Sequence, residues 1–457
     1  KFDASVTGGH GCNDVAAAIF DVDGDGQDEV IVPASCNPKT YCFNGQDGSV
    51  KWICNTRGSD SPPTIADIDN DGKPEIIHGE FGGWVICINA EDGTVNWEMQ
   101  VDPDSWVQTA PTIVDLDRNG ILDFVVATWN FSYKDSIFAF RGDNLNRLWA
   151  FPVHDHIYHG TAVSDLDQDG KPELVIGSWN DTLYCLNGEN GTTNFKYTAN
   201  GSVTGHVSLG DIDNDGVCDI VFGDGYGITA LSNTGKLKWY YTIPNSGYTF
   251  RGVALADITN DKYLDVIFGT YNTGVLYALH GNNGNLIWNL NLASHFGNPK
   301  FGLNHAPLVA DFDQDDILDI FIVGGYGVFP PSSTNFGRAY MISAGKGNGP
   351  EWLMFQRDIH RQSSLCSTNT TQIDDKELQS KIKIYPNPGS GMINIDLKDD
   401  CPYVLFEIID IRGKTLFKTK VECGNLFSLD VTHLDDAIYF YRATSPEGIA
   451  HFGKLAI

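Results

Sequence analysis

The sequence is poor in positive charge. Lys and Arg total 30 in 457 residues, against 59 Asp and Glu, for a formal net charge of −29. Such a surface repels phosphate backbones and acidic lipid headgroups, which argues against nucleic acid as a partner. Long apolar runs are missing as well, and no stretch approaches the roughly 18 residues of a membrane-spanning helix. Methionine is scarce, at 4. No long segment shows the 3.6-residue apolar spacing of amphipathic helices. Sequence-local catalytic signatures are absent: there is no Gly-x-Ser-x-Gly, no His-Glu-x-x-His and no phosphate loop. Neither a Cys-x-x-Cys-His haem signature nor a Cys/His zinc spacing occurs. The opening Lys1-Phe2-Asp3-Ala4-Ser5 has no apolar signal core, so any export signal is expected to be gone already.

What is present is a folding sequence, 42% hydrophobic, with 49 glycines and many aromatic residues. Short Val/Ile/Leu/Phe runs lie between Gly, Asn and Asp clusters, as in all-β proteins. The length exceeds one ordinary core, so several domains or a repeat array are expected.

One acidic pattern recurs seven times, its first Asp every 46–54 residues. Counted from that Asp as position 1, positions 1, 3, 5 and 9 carry the side-chain oxygens. They are Asp21, Asp23, Asp25 and Glu29, then Asp67, Asp69, Asp71 and Glu75, then Asp115, Asp117, Asn119 and Asp123. The fourth set is Asp165, Asp167, Asp169 and Glu173, and the fifth Asp211, Asp213, Asp215 and Asp219. The sixth is Asp257, Thr259, Asp261 and Asp265, and the seventh Asp311, Asp313, Asp315 and Asp319. These positions hold 26 of the 59 acids, so the remaining 33 nearly balance the 30 bases. The acidity is a set of local sites.

Carboxylates at alternate positions of a tight loop converge on one centre, glycine at position 6 permits the turn, and the acid at position 9 closes the shell. Hard oxygen ligands in this number suit Ca²⁺ better than Mg²⁺ or Zn²⁺. The loop opens like an EF-hand, but position 12 is Val32 in the first copy and His78 in the second. A strand-like run follows where that motif would have a helix. The expectation is about five to seven structural Ca²⁺ sites in β-hairpins, the sixth loop being the weakest because Thr259 and Lys262 depart from the pattern.

Each unit reads as four short strands. The third and fourth are joined by a Gly turn leading to an aromatic residue, as in Gly48…Trp52, Gly93…Trp97, Gly191…Phe195, Gly235…Trp239 and Gly284…Trp288. Trp149 and Trp352 are expected to continue the series, each aromatic docking its blade on a neighbour. Seven such units predict an all-β chain with a seven-bladed β-propeller over residues 1–366. The acidic pattern resembles the FG-GAP/VCBS repeats of integrin-α-like propellers. The Gly-x-x-x-Trp turn is similar to repeats of pyrroloquinoline-quinone-type propellers.

Residues 367–380 read as a polar linker. Beyond it, period-2 runs in 381–457 predict a small Ig-like β-sandwich. Its Tyr385-Pro386-Asn387-Pro388, Asp410-Ile-Arg-Gly413 and Gly453-Lys454-Leu455 resemble the C-terminal sorting domain of Bacteroidetes type IX secretion substrates, with Ala437 where the family usually has Gly. That resemblance implies the type IX machinery as a partner, outer-membrane translocation, and a secreted or cell-surface location in a Bacteroidetes-type bacterium.

Ten cysteines are present. Cys42, Cys87 and Cys185 share a repeat position with Ala139, Ala230 and Ala278, so they read as buried free thiols. Cys401 and Cys423 are able to pair, and the connectivity of Cys12, Cys36, Cys54, Cys218 and Cys366 is open.

Upstream of each acidic loop, on the opposite face of the disc, stand Asp14, Asp60, Thr109, Tyr158, His159, His206, Arg251, Asn304 and His305. This irregular ring at the channel mouth is the candidate ligand site of a binding or adhesion module for a glycan or another surface ligand. The alternative is a polysaccharide lyase or hydrolase, with Tyr158, His159, His206 and His305 as acid and base and Arg251 neutralising a uronate.

Overall fold

The computed structural model describes residues 15–366, apart from 36, 314, 329–332 and 348, together with the strands between 382 and 456 and a few residues beside them. Asp14, Cys12, Cys36, Cys401, Cys423 and the 367–380 linker lie outside the described residues. The chain divides into two compact units, Lys1–Thr370 and Thr371–Ile457.

The first unit is a seven-bladed β-propeller. Six blades are four-stranded antiparallel meanders, the first formed by Ala18–Phe20, Glu29–Pro33, Lys39–Asn44 and Val50–Asn55. The innermost strands of the other six are Thr64–Ala66, Thr112–Val114, Ala162–Ser164, Ser208–Gly210, Ala254–Ala256 and Leu308–Ala310. In each blade the acidic loop joins the first strand to the second, whose opening residue is the acid at position 9.

The strand pairing explains the shared Cys/Ala position. Cys42 lies opposite Trp52, Cys87 opposite Trp97, Ala139 opposite Trp149, Cys185 opposite Phe195, Ala230 opposite Trp239 and Ala278 opposite Trp288. A large ring on one strand leaves room only for a small neighbour across the ladder. The three cysteines are buried and free, and burial pushes the Cys42 thiol up to about 12. Immediately beyond each pair the register slips by one residue, leaving Lys51, Asn96, Leu148, Asn194, Lys238 and Ile287 as bulged positions.

The aromatic series docks the blades. The Trp52 ring lies where a side chain on Gly93 of the next blade would stand, and Trp149, Phe195 and Trp239 meet Gly191, Gly235 and Gly284 in the same way. The indole N–H of Trp52 donates to the Ala90 carbonyl at 2.9 Å, that of Trp149 to Gly188 at 2.7 Å and that of Trp239 to Gly281 at 2.6 Å. The seventh blade departs from the expectation. Among the described residues it has three strands, Leu308–Ala310, Asp319–Tyr326 and Phe336–Ser343. Trp352 is fully buried, bridges to Val309 of the innermost strand and faces His206, so it does not continue the docking series.

The central channel is filled by the chain itself. The inward edge of an innermost strand carries unpaired backbone groups, and residues 349–365 satisfy them around the ring. Asp257 N–H donates to Gly349, Val309 to Trp352, Ile65 to Ile359, Ile113 to His360, Val163 to Gln362 and Leu209 to Ser363, all at 2.9–3.1 Å. Arg361, with no exposed surface, donates to the carbonyls of Pro63 and Phe355. The segment turns back at Met354–Arg357 and ends at Cys366, which is bonded to Cys218 in the fifth acidic loop.

The second unit holds two sheets, one of Ile382–Tyr385, Met392–Leu397 and Leu426–Asp430, the other of Tyr403–Ile409, Thr415–Glu422, Ile438–Thr444 and Ala450–Ala456. Ile393, Ile395 and Leu429 of the first share a buried cluster with Phe406, Ile408 and Tyr441 of the second.

Candidate functional site

The seven acidic loops have one construction. The carboxylate at position 1 accepts the backbone N–H of position 6 in every copy, at 2.8–3.0 Å. Gly26, Gly72, Gly120, Gly170 and Gly216 take positive φ there, and so do Lys262 and Asp316 in the two loops without glycine. The acid at position 9 folds back to accept the N–H of position 2 in five loops, through Glu29, Glu75, Asp123, Glu173 and Asp265, at 2.8–3.1 Å.

These bonds gather carboxylate oxygens. Asp21, Asp23 and Glu29 have oxygens within 4.8 Å of one another, as do Asp67, Asp69 and Asp71. So do Asp115, Asp117 and Asp123, then Asp165, Asp167 and Glu173, then Asp211, Asp213 and Asp219. The groups could hold a metal ion and their all-oxygen chemistry is compatible with Ca²⁺. Two observations make the residues fit a cation. Asp117, Asp123 and Asp213 each retain a buried carboxylate oxygen without a hydrogen-bond partner. Burial, and secondarily the neighbouring carboxylates, push Glu75, Asp123 and Glu173 up to about 7.

The bulged residues distinguish the loops. Lys51 reaches Asp23 and lies 3.3 Å from Glu29, and Lys238 reaches Asp213 at 2.8 Å and Asp219 at 2.6 Å. In the second and fourth blades the same position is amide: Asn96 donates to Asp69 at 3.0 Å and Asn194 to Asp167 at 3.4 Å. Leu148 cannot do this, and Arg141 pairs with Asp117 instead. Loops 2 and 4 thus lack the bulge cation that loops 1 and 5 carry.

On the opposite face, the ring expected at the channel mouth surrounds the turn of the channel segment. Thr109, His159, His206 and Arg251 are buried, while Asn304 and His305 are partly so. Phe355 packs on His159 and His206, at ring distances of 5.4 and 5.1 Å. His159 Nε2 lies 3.4 Å from the Phe250 carbonyl, and Arg251 stands over the Tyr158 ring at 5.6 Å. Asp60 is held by Ser35 and by Gln108 at 3.2 Å. Desolvation lowers His159 well below its ordinary value and takes His206 down to about 4. The structure therefore brings Tyr158, His159, His206 and Arg251 together, beneath a cap made by the chain's own residues.

Outward of this ring runs a band of aromatic loops. Phe81, Trp106 and Phe131 touch in sequence, tilted at 4.6 Å and then edge-to-face at 5.0 Å. Trp129 lies parallel to His156 at 4.3 Å and contacts Tyr158 and Trp179. Tyr158, Phe250, Tyr271 and Tyr248 continue it. Phe131 and Tyr133 are 66% and 58% exposed, so the band reaches solvent. Sequence reasoning missed it. Its signal is the aromatic content of the loop after the second strand in several units: Phe81, Trp129, Trp179, Tyr226 and Tyr271.

Residues 21–78 and 67–126 match the FG-GAP-like repeat, and residues 383–457 match the secretion system C-terminal sorting domain. The chain is thus a seven-bladed propeller with FG-GAP-like repeats that carries a type IX sorting domain, which directs it to the cell surface or the extracellular space. Residues 170–352 match the model described as outer membrane protein assembly factor BamB. No curated relative matches the sequence. Among solved structures, BBS1N in complex with ARL6DN aligns at TM-score 0.50 and 12% identity over 73% of this chain and 93% of that one. BamB from Moraxella catarrhalis aligns at 0.46 and 15%, over 74% and 87%, and the V. cholerae biofilm matrix protein Bap1 at 0.46 and 12%, over 80% and 95%. At these identities the likeness concerns the fold alone.

Proposed function

We propose that this is a calcium-stapled binding module of the cell surface or its surroundings, whose ligand is a glycan. The observation that carries the reading is the exposed aromatic band on the face opposite the acidic loops. Contiguous aromatic surface of this kind marks an interaction site, and sugar rings present apolar C–H faces that lie against such rings. The sorting domain supports the setting, because it brings the propeller to where glycans are. Calcium in the acidic loops holds the hairpins and so keeps the opposite loops in register.

Tyr158 belongs in this reading to the band, and His159, His206 and Arg251 to the floor beneath it. The burial of His159 and His206 under Phe355 weighs against their acting as acid and base on a polymer. A glycan array probed with and without chelator tests the proposal, with binding in calcium that fades on chelation as the expected outcome. New ultraviolet absorbance from unsaturated uronate on acidic polysaccharides, lost in Arg251→Ala, would replace it with the lyase alternative.

A further inference from the structure

Between the fourth and fifth blades, at the end of the aromatic band, the structure holds a cleft of about 510 Å³. We infer that this cleft is a subsite for uncharged pyranose units of a polysaccharide. The inference rests on reading the protein as a glycan-binding module and locates that activity.

The floor is backbone. Gly201 and Gly225 face each other so closely that a Cβ on Gly201 would stand 3.1 Å from the Gly225 Cα, and Gly201 takes φ +138. A side chain there would press on the Gly225 backbone and the Tyr226 ring and push the two loops apart, and few L-residues adopt that φ. Tyr226 and Tyr248 line the walls. Tyr226 is 60% exposed, while Tyr248 is backed by Tyr271 at 5.4 Å. Asp181, Ser202 and Thr204 supply polar groups at the rim.

The two lips are held by one buried carboxylate. Asp224, 1% exposed, accepts the backbone N–H of Asn200 at 3.2 Å from one lip. From the other it accepts those of Tyr226 at 3.0 Å and Gly227 at 2.9 Å. Ser202 Oγ donates to the Trp179 carbonyl at 2.9 Å. The cleft is therefore preformed, which spares a ligand the cost of ordering it.

The chemistry selects the ligand class. The exposed Tyr226 ring and the half-buried Tyr248 ring offer flat apolar surface, and a carboxylate accepts hydroxyls in charge-assisted hydrogen bonds. The charged side chain lining the cleft is an acid, Asp181, which repels uronates and sulfated sugars. A neutral sugar satisfies all three conditions.

Affinity electrophoresis of the full chain in calcium tests this, with laminarin, dextran, xyloglucan and mannan as neutral polymers and alginate and hyaluronan as acidic ones. At least one neutral polymer should retard the protein. Tyr226→Ala and the floor-filling Gly225→Val should each weaken that retardation tenfold or more, with Leu237→Ala, on an outer strand, leaving it unchanged. Neutral-polymer binding that survives both variants would sink the cleft while leaving the binding-module reading intact. Retardation by acidic polymers alone would overturn the assigned sugar class. Absence of retardation by all six polymers would remove the glycan reading itself, and this inference with it.

Discussion

Trp52 of the first blade lies against Gly93 of the second, its six-membered ring within 2.7 Å of where a Cβ on that glycine would be. The contact is possible only because position 93 has no side chain, and its φ of +74 makes the same demand. Gly93→Ala is therefore expected to cost about 2–4 kcal/mol, from left-handed backbone strain plus overpacking. Gly24→Ala, at φ +73 with open space around it, should cost only the backbone part, about 1–2 kcal/mol. Urea unfolding of both variants measures the difference. Equal losses would show that the blade contact is not tight.

Chelation gives a second outcome. A site with Kd near 10⁻⁴–10⁻³ M, held in 10 mM Ca²⁺, stabilises the fold by about 1.5–3 kcal/mol. EDTA should lower the melting temperature by an amount that reflects several such sites. Asp67→Ala and Asp165→Ala should each abolish a calorimetric Ca²⁺ site, and Lys51→Asn should strengthen the first loop, because it removes a cation from among Asp23 and Glu29. Melting unchanged by EDTA would end the staple reading.

The buried histidines set a pH dependence. His206 Nε2 donates to the Val253 carbonyl at 3.1 Å, and the ring packs on Trp352 and Phe355. Desolvation takes it from 6.5 down to about 4. The neutral ring is favoured in the folded state, so its contribution is complete above pH 6.5 and is lost as pH falls toward 4. Linkage puts it at roughly 3 kcal/mol. His159 is shifted in the same direction. Glu75, Asp123 and Glu173, raised to about 7, act in the opposite sense over the same range, so the histidine contribution is read as a difference: between pH 6.5 and 4 His206→Gln should lose less stability than the unsubstituted protein. An identical slope in the variant would place the acid sensitivity elsewhere.

The channel segment makes the fourth prediction. Arg361→Met removes the donor to the Pro63 and Phe355 carbonyls, at about 1–3 kcal/mol for each buried acceptor left unpaired. Cys218→Ser with Cys366→Ser frees the segment's end and should cost about 2–4 kcal/mol. Hydrogen exchange should then speed at Ile65, Ile113, Val163 and Leu209, whose N–H groups the segment holds. Unaltered exchange there would mean that the ring closes without it.

Much of the propeller is legible in the sequence because its devices are side chains at fixed offsets. Asp67, Gly72 and Glu75 announce a loop, and Gly93 followed by Trp97 announces a turn and a dock. The Cys/Ala alternation at Cys42 and Ala139 reports the ring opposite. The channel segment escapes notice because it works through main-chain carbonyls, at Ile359, His360, Gln362 and Ser363, which leave no pattern in residue type. Trp352 misleads for the same reason, matching the aromatic series in kind but not in partner. The cleft at Tyr226 is hidden because its floor, Gly201 and Gly225, comes from loops 24 residues apart.

The channel segment also sets an order of events. It is the last part of the propeller to leave a ribosome or a secretion pore working from the N-terminus, yet it satisfies inner strands from six blades. Until residue 366 has emerged, the wheel has its spokes but no hub, and its inner edges stay open.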